Sequence, residues 1–312
     1  MQMRTHTESA PLLQDSKRNW KVLWQLTRPH TLTAGFIPVL IGTALAMQSN
    51  DINGLLFIAM LVASLLIQAA TNMFNEYYDF KRGLDTEESI GIGGAIVRDG
   101  MAPKTVLKLA LALYAIATLL GVYICIESSW WLAVIGLLCM AIGYLYTGGP
   151  LPISSTPFGE LFAGFFMGFL IILISFFIQA GNVSRLSILV AIPIGILVGL
   201  INLSNNIRDL DGDKANGRKT LAILIGRKKA VFLLGIMFSV SYLWMIGLTA
   251  TETVSPWVLL VFLSIPKAVK ATKGFIGKTV PIQMMPAMKA TAQTNTIFGF
   301  LLSVGLFISY FI

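Results

Sequence analysis

Carboxamides and carboxylates recur at one spacing in two places along the chain: Asn72-x-x-Asn75-x-x-x-Asp79 and, 130 residues later, Asn202-x-x-Asn205-x-x-x-Asp209. Steps of three and then four set each trio on one face of a helix. Asp213 continues the second ladder by another turn, whereas the first has Gly83 at the matching place and Asp85 as its next carboxylate. Acidic groups gathered in this way repel one another unless a cation lies between them. Hard oxygen donors with no His or Cys nearby suit Mg²⁺, which keeps several waters and is usually shared between one or two carboxylates and substrate phosphate. The paired ladders describe a magnesium diphosphate clamp.

The elements that carry the ladders are apolar. Of 312 residues, 55% are hydrophobic and 12% charged, and the mean hydropathy is +0.76, which excludes an ordinary soluble domain. Apolar runs long enough to cross about 30 Å of hydrocarbon as helices predict nine spans, near 31–48, 54–74, 106–126, 130–147, 159–180, 187–207, 229–249, 254–266 and 293–312. The eighth is short, opened by Ser255-Pro256 and closed by Pro266. The expected fold class is all-α, a polytopic membrane bundle. Two cysteines, Cys125 and Cys139, and two histidines, His6 and His30, build neither a disulfide framework nor a zinc site.

With nine crossings, 22 of the 23 Lys and Arg fall on the side of the N-terminus and Arg185 alone on the other, a positive-inside asymmetry that places the N-terminus and both ladders in the cytoplasm and the C-terminus outside. The +8 net charge then faces anionic lipid head groups rather than nucleic acid. Lys267, Lys270 and Lys273, at helical spacing, read as an interfacial helix. No apolar h-region precedes the first span, so that span is expected to remain in the mature protein. Residues 1–20 read as a flexible cytoplasmic tail and 21–312 as a single membrane domain, with Asp-rich loops near 75–104 and 208–228. Glu76, Glu87, Glu88 and Asp99 read as solvated charges.

Asn75-Glu76-Tyr77-Tyr78-Asp79-Phe80-Lys81-Arg82-Gly83-Leu84-Asp85, together with Asn205 through Asp209 and Asp213 to Gly217-Arg218-Lys219-Thr220-Leu221, resembles the two aspartate-rich motifs of the UbiA superfamily of intramembrane aromatic prenyltransferases. Thr27-Arg28-Pro29-His30-Thr31-Leu32, Gly91 to Gly100 and Tyr144-Leu145-Tyr146-Thr147-Gly148-Gly149-Pro150 support the resemblance, which covers nearly all the chain after about residue 20. The broad pattern has Asp where this chain has Glu76 and Gly83. The late Asp85 resembles the branch that prenylates 1,4-dihydroxy-2-naphthoate, and the Arg-Thr-x-x-Arg-Pro segment of the 4-hydroxybenzoate and haem O branches is absent.

The resemblance implies transfer of a polyprenyl chain from an allylic polyprenyl diphosphate to dihydroxynaphthoate in a bacterial plasma membrane, with loss of the carboxylate. Its implied metal ligands are Asp79, Asp85, Asp209 and Asp213, with Asn75 and Asn205 as oxygen donors or orienters. Lys81, Arg208, Lys214 and Lys219 are candidates to grip the diphosphate, Arg28 and His30 to hold the aromatic acid, and Tyr78, Tyr144 and Tyr146 to offer π faces to the allylic cation. Another aromatic prenyltransferase of the superfamily is the nearest alternative. A secondary transporter would put its polar groups near the bilayer midplane, and a CDP-alcohol phosphotransferase would have Arg where Asn216 follows Asp211-Gly212.

Overall fold

In hydrocarbon, backbone groups must be satisfied within the segment that carries them, and helices do this. The computed structural model describes residues 20–29, 31–85 and 94–312, and no strand occurs among them. In chain order the helices are α1 (Thr33–Ala46), α2 (Gly54–Lys81), α3 (Pro103–Glu127), α4 (Trp131–Leu145) and α5 (Gly159–Ala180). There follow α6 (Arg185–Ala215), the short α7 (Leu221–Ile225), α8 (Arg227–Ala250), α9 (Ile265–Phe275) and α10 (Pro281–Phe311). Residues 20–26 form a further short helix. Most of the expected tail, 1–20, and the segment holding Glu87 and Glu88 lie outside the described residues.

Each expected span falls on a helical segment, but among the described residues six helices, α2, α3, α5, α6, α8 and α10, are long and apolar enough to cross a membrane. Helices α1 and α4 are apolar and shorter. The eighth expected span is a 3-10 helix over Pro256–Ser264. Pro266 does not close it; it occupies the first turn of α9, where a missing N–H costs nothing. Helix α9 buries Ala268, Ala271 and Phe275 and exposes Lys270 and Lys273, the amphipathic helix expected from the lysine spacing. Helix α10 begins a dozen residues before its expected start, because Met284, Ala287, Met288 and Ala290 already pack into the core. Leu55, Ile58, Leu111, Leu119 and Phe232 stand exposed on the outer faces, as side chains in contact with lipid would.

Two corrections concern the ladders. Residues 75–81 and 208–215 are not loops: α2 runs on to Lys81 and α6 to Ala215. At 1.5 Å per residue, their 28 and 31 residues measure about 42 and 46 Å, so each is longer than the hydrocarbon is thick and carries its ladder on the final turns. The starts are capped by Asn53, which accepts from the amides of Leu55 and Leu56, and by a Ser184–Ser187 capping box.

Helix α6 is the hub, packed on α8, on α10 and on the π-helical stretch Gly164–Phe169 within α5. Small residues make that last contact: a Cβ on Gly168 would stand 2.8 Å from the Gly195 Cα, and one on Gly199 2.9 Å from the Glu160 carbonyl oxygen. This approach sets Glu160 beside the second ladder. The first is held by a separate apolar cluster in which Met73 and Phe74 meet Val22, Leu26, Ala95, Ile96, Val106 and Ala110.

Candidate active site

The two ladders meet through one side chain. Past the end of α6, Gly217 takes a left-handed φ of 75° and reverses the chain, and the Arg218 amide donates back to the Asp213 carbonyl at 3.0 Å. The guanidinium then points inward, with Nη2 donating to Asp79 Oδ1 and Nη1 to Asp213 Oδ1, both at 3.1 Å. The Lys219 amide is bound to the Ser155 carbonyl at 2.9 Å, and the Lys219 side chain is turned to solvent.

Not every hydrogen-bonding group here is matched. Asp213 Oδ2, Arg218 Nε, Glu160 Oε2, Asn202 Nδ2 and the Thr147 and Thr220 hydroxyls are buried without a hydrogen-bond partner. Groups of this kind cost about 1–3 kcal/mol each when left unmade, and a cluster of them fits a chamber completed by a polar ligand. Among the described residues no three acidic, His or Cys side chains converge as a ready metal cage.

The other predicted residues fall into distinct groups. Asp209 is clasped by its neighbour Arg208 at 2.5 and 2.6 Å, and Arg208 also lies 3.4 Å from the Met285 sulfur. Asp85 lies beyond the end of α2, and its carboxyl is pushed up to about 6, chiefly by burial and then by the charges of Asp79 and Glu76. Asn75 and Asn205 are half-buried, while Lys81 and Lys214 are exposed. The deepest rung of the first ladder holds structure: Asn72 donates to the Thr27 carbonyl and the Thr31 hydroxyl, each at 2.9 Å. His30 lies outside the described residues.

Glu76 corrects its sequence reading. It is 2% exposed, accepts from the Gly94 and Ile96 amides at 2.7 and 3.3 Å, and faces Arg28 at 3.4 Å. A solvated carboxylate would leave those amides unmatched. Arg28, in a left-handed conformation with φ 51°, is thus held at the first ladder by a counter-charge.

The Tyr78 and Tyr144 hydroxyls share a hydrogen bond of 2.5 Å, and their rings meet edge to face. One face of Tyr78 lies beneath the Arg82 guanidinium, 5.4 Å from the ring centre, and so is taken. Arg82 also donates to the Thr147 and Gly149 carbonyls, which ties the Tyr144–Gly149 turn to the end of α2. Arg82, Glu160 and Arg218 were not singled out from sequence. For Arg218 the available signal was Gly217, whose turn decides which of two adjacent cations faces inward.

Below this chamber a cavity of about 270 Å³ opens between α2, α3, α4 and α5, walled by Met60, Ile67, Gly121, Gly136, Phe162 and Phe166. Tyr146 belongs to both regions: it lines the cavity and feels the charges of Glu160 and Arg218.

Charge in the chamber and hydrocarbon in the cavity suit one kind of ligand, an anionic head on a long apolar tail, and they define the chain as a multi-pass membrane enzyme of amphiphile chemistry. It belongs to the UbiA prenyltransferase family, whose model matches residues 35–273. It is 67% identical over 291 residues to the 1,4-dihydroxy-2-naphthoate octaprenyltransferase of Bacillus subtilis (strain 168), covering 93% of this chain and 94% of that protein. Among solved structures it resembles an apo UbiA homologue from Aeropyrum pernix K1, with TM-score 0.67 and 16% identity over 88% of this chain and 98% of the other. It also resembles a UbiA homologue from Archaeoglobus fulgidus bound to DMAPP and Mg²⁺, with TM-score 0.61 and 14% identity over 90% and 99%. At those identities the structural likeness speaks for the fold.

Proposed function

We propose that the chain transfers a polyprenyl group from an allylic polyprenyl diphosphate to a ring carbon of 1,4-dihydroxy-2-naphthoate, releasing diphosphate and the ring carboxylate as CO₂ and forming demethylmenaquinol, which oxidation by dioxygen outside the enzyme converts to demethylmenaquinone. The observation that carries this reading is the near full-length likeness to the Bacillus subtilis naphthoate enzyme; the chamber and its cavity supply the physical means. When bound, Mg²⁺ would be held by Asp79, Asp209 and Asp213, with Asp85 near them, together with substrate phosphate rather than by a closed cage of protein ligands, and would supply Lewis-acid neutralisation of the leaving diphosphate. The unpartnered Asp213 Oδ2 fits that role.

The protein's own groups do the rest. Asn75 and Asn205 orient the carboxylates, and Lys81, Lys214 and Lys219 gather phosphate oxygens at the mouth, with Arg208 joining them on release from Asp209. Arg28, held by Glu76, receives the acceptor carboxylate, with His30 near it in sequence. The isoprenoid tail lies in the apolar cavity, where exclusion of water keeps the allylic cation from being trapped as an alcohol. Tyr78, Tyr144 and Tyr146 present π density to that cation.

The basic asymmetry of the sequence supports a bacterial plasma-membrane enzyme with its N-terminus and chamber cytoplasmic and its C-terminus outside. Residues 21–312 then form one transferase domain among membrane lipids. The test is a product assay on lipid-reconstituted protein given dihydroxynaphthoate and a long polyprenyl diphosphate, with and without Mg²⁺. Magnesium-dependent prenylated naphthoquinol, recovered as the quinone after oxidation in air, and CO₂ are expected. Diphosphate release without alkylation of the naphthoate would overturn the acceptor, and no reaction of either substrate would overturn the reading.

A further inference from the structure

We propose that Arg218 is a built-in counter-cation that bridges the two acidic motifs in the absence of metal and makes divalent-cation and diphosphate binding depend on each other. The proposal rests on the reading of the chamber as a metal–diphosphate clamp. Asp79 and Asp213 come from different helices and converge with side chains only 14% and 11% exposed. Two carboxylates so placed need a positive charge between them, and Arg218 supplies it from a position that is itself 17% exposed.

The manner of bonding leaves this bridge open to exchange. Each carboxylate receives one hydrogen bond from a separate nitrogen, so neither pair is the two-bond fork seen between Arg208 and Asp209. Asp213 Oδ2 and Arg218 Nε remain buried and unpartnered. A guanidinium with an unmade donor, next to a carboxylate with an unmade acceptor, has more to gain from an anion and a cation arriving together than from its present contacts. The backbone on either side is fixed by the Arg218 to Asp213 and Lys219 to Ser155 hydrogen bonds, so exchange needs only rotation of the Arg218 side chain.

A divalent cation arriving alone must compete with the guanidinium for Asp79 and Asp213. Diphosphate offers the displaced guanidinium new oxygen acceptors and thereby favours the metal. By linkage the effect is reciprocal.

The test uses the purified full chain in lipid nanodiscs, with Mn²⁺ binding followed by paramagnetic resonance, alone and with saturating farnesyl thiodiphosphate, an unreactive analogue. In Arg218→Gln, affinity for Mn²⁺ alone is expected to rise about tenfold, and the enhancement by the analogue to shrink by a similar factor. Arg218→Lys, whose ammonium is a point charge without the planar fork, should fall between and serves if the Gln variant does not fold. Unchanged or weaker binding of Mn²⁺ alone in both variants would overturn the proposal, since a residue that only grips diphosphate leaves that quantity alone. Asp213→Asn tests the clamp separately: if it binds Mn²⁺ as the parent does, the clamp reading fails, whatever Arg218 does.

Discussion

Glu76 provides the sharpest test of the geometry around the first ladder, because sequence and structure disagree about it. Glu76→Ala would leave the Gly94 and Ile96 amides and the Arg28 guanidinium without their acceptor at a site 2% exposed. Hydrogen bonds to a charged partner contribute about 1.5–3 kcal/mol each. The Gly94 contact, at 2.7 Å, belongs at the upper end, and the two at 3.3 and 3.4 Å belong at or below the lower. The loss is then about 3–5 kcal/mol. Glu76→Gln keeps a carbonyl oxygen for the amides and gives up the charge, for a loss of about 1–2 kcal/mol. Amide hydrogen exchange over residues 94–97 reads this directly. At 1.4 kcal/mol per factor of ten, opening should rise by about two to three and a half decades in the Ala variant and by about one in the Gln variant. If exchange at Gly94 is the same in Glu76→Ala as in the parent, Glu76 is a solvated charge and the account of how the 94–97 turn and Arg28 are held is wrong.

Asp209→Asn is expected to abolish turnover while the protein stays folded in the membrane; activity at the parent level would refute its place among the metal ligands. Arg28→Ala should raise the KM for the aromatic acid more than that for the diphosphate, and no change in either moves the acceptor site elsewhere. Gly136 lines the apolar cavity, and a Cβ added there meets nothing within 4 Å. Gly136→Phe should therefore reduce kcat/KM for a long polyprenyl diphosphate about tenfold or more relative to a five-carbon one, since the tail loses wall area worth about 25 cal/mol per Å². Equal losses for both substrates would show that the tail runs by another route.

The elements and both ladders were legible in the sequence because their signals are local. A run of apolar residues long enough to cross a bilayer must coil, and a three-then-four spacing keeps its meaning wherever the helix packs. The misses involve contacts between distant parts of the chain. Glu76 sits in a charged stretch and reads as solvated, yet its acceptors are claimed by amides 18 and 20 residues away. Lys219 and Arg218 are equivalent cations by composition, and a single left-handed glycine decides that the second of them turns inward. The eighth span looked like a helix closed by Pro266, whereas proline in a first turn serves equally well to open the next one.

The two ladders match in spacing and differ in use, and the difference starts where each helix stops. Helix α2 ends at Lys81, and Gly83, at φ 70°, turns the chain toward Asp85. Helix α6 continues to Ala215, so Asp213 is still on a helix, and Gly217 then turns the chain toward Arg218. One return brings in a carboxyl and the other a guanidinium. Asp79 and Asp209 occupy equivalent positions by sequence, yet Asp79 is bonded across the chamber to Arg218 and Asp209 to the residue beside it. A symmetric pair of motifs would present the same environment to both ends of a ligand. An alkyl diphosphate has one esterified phosphate and one free phosphate of higher charge, and on the proposed function the unequal ends of α2 and α6 would give it two unequal places to sit.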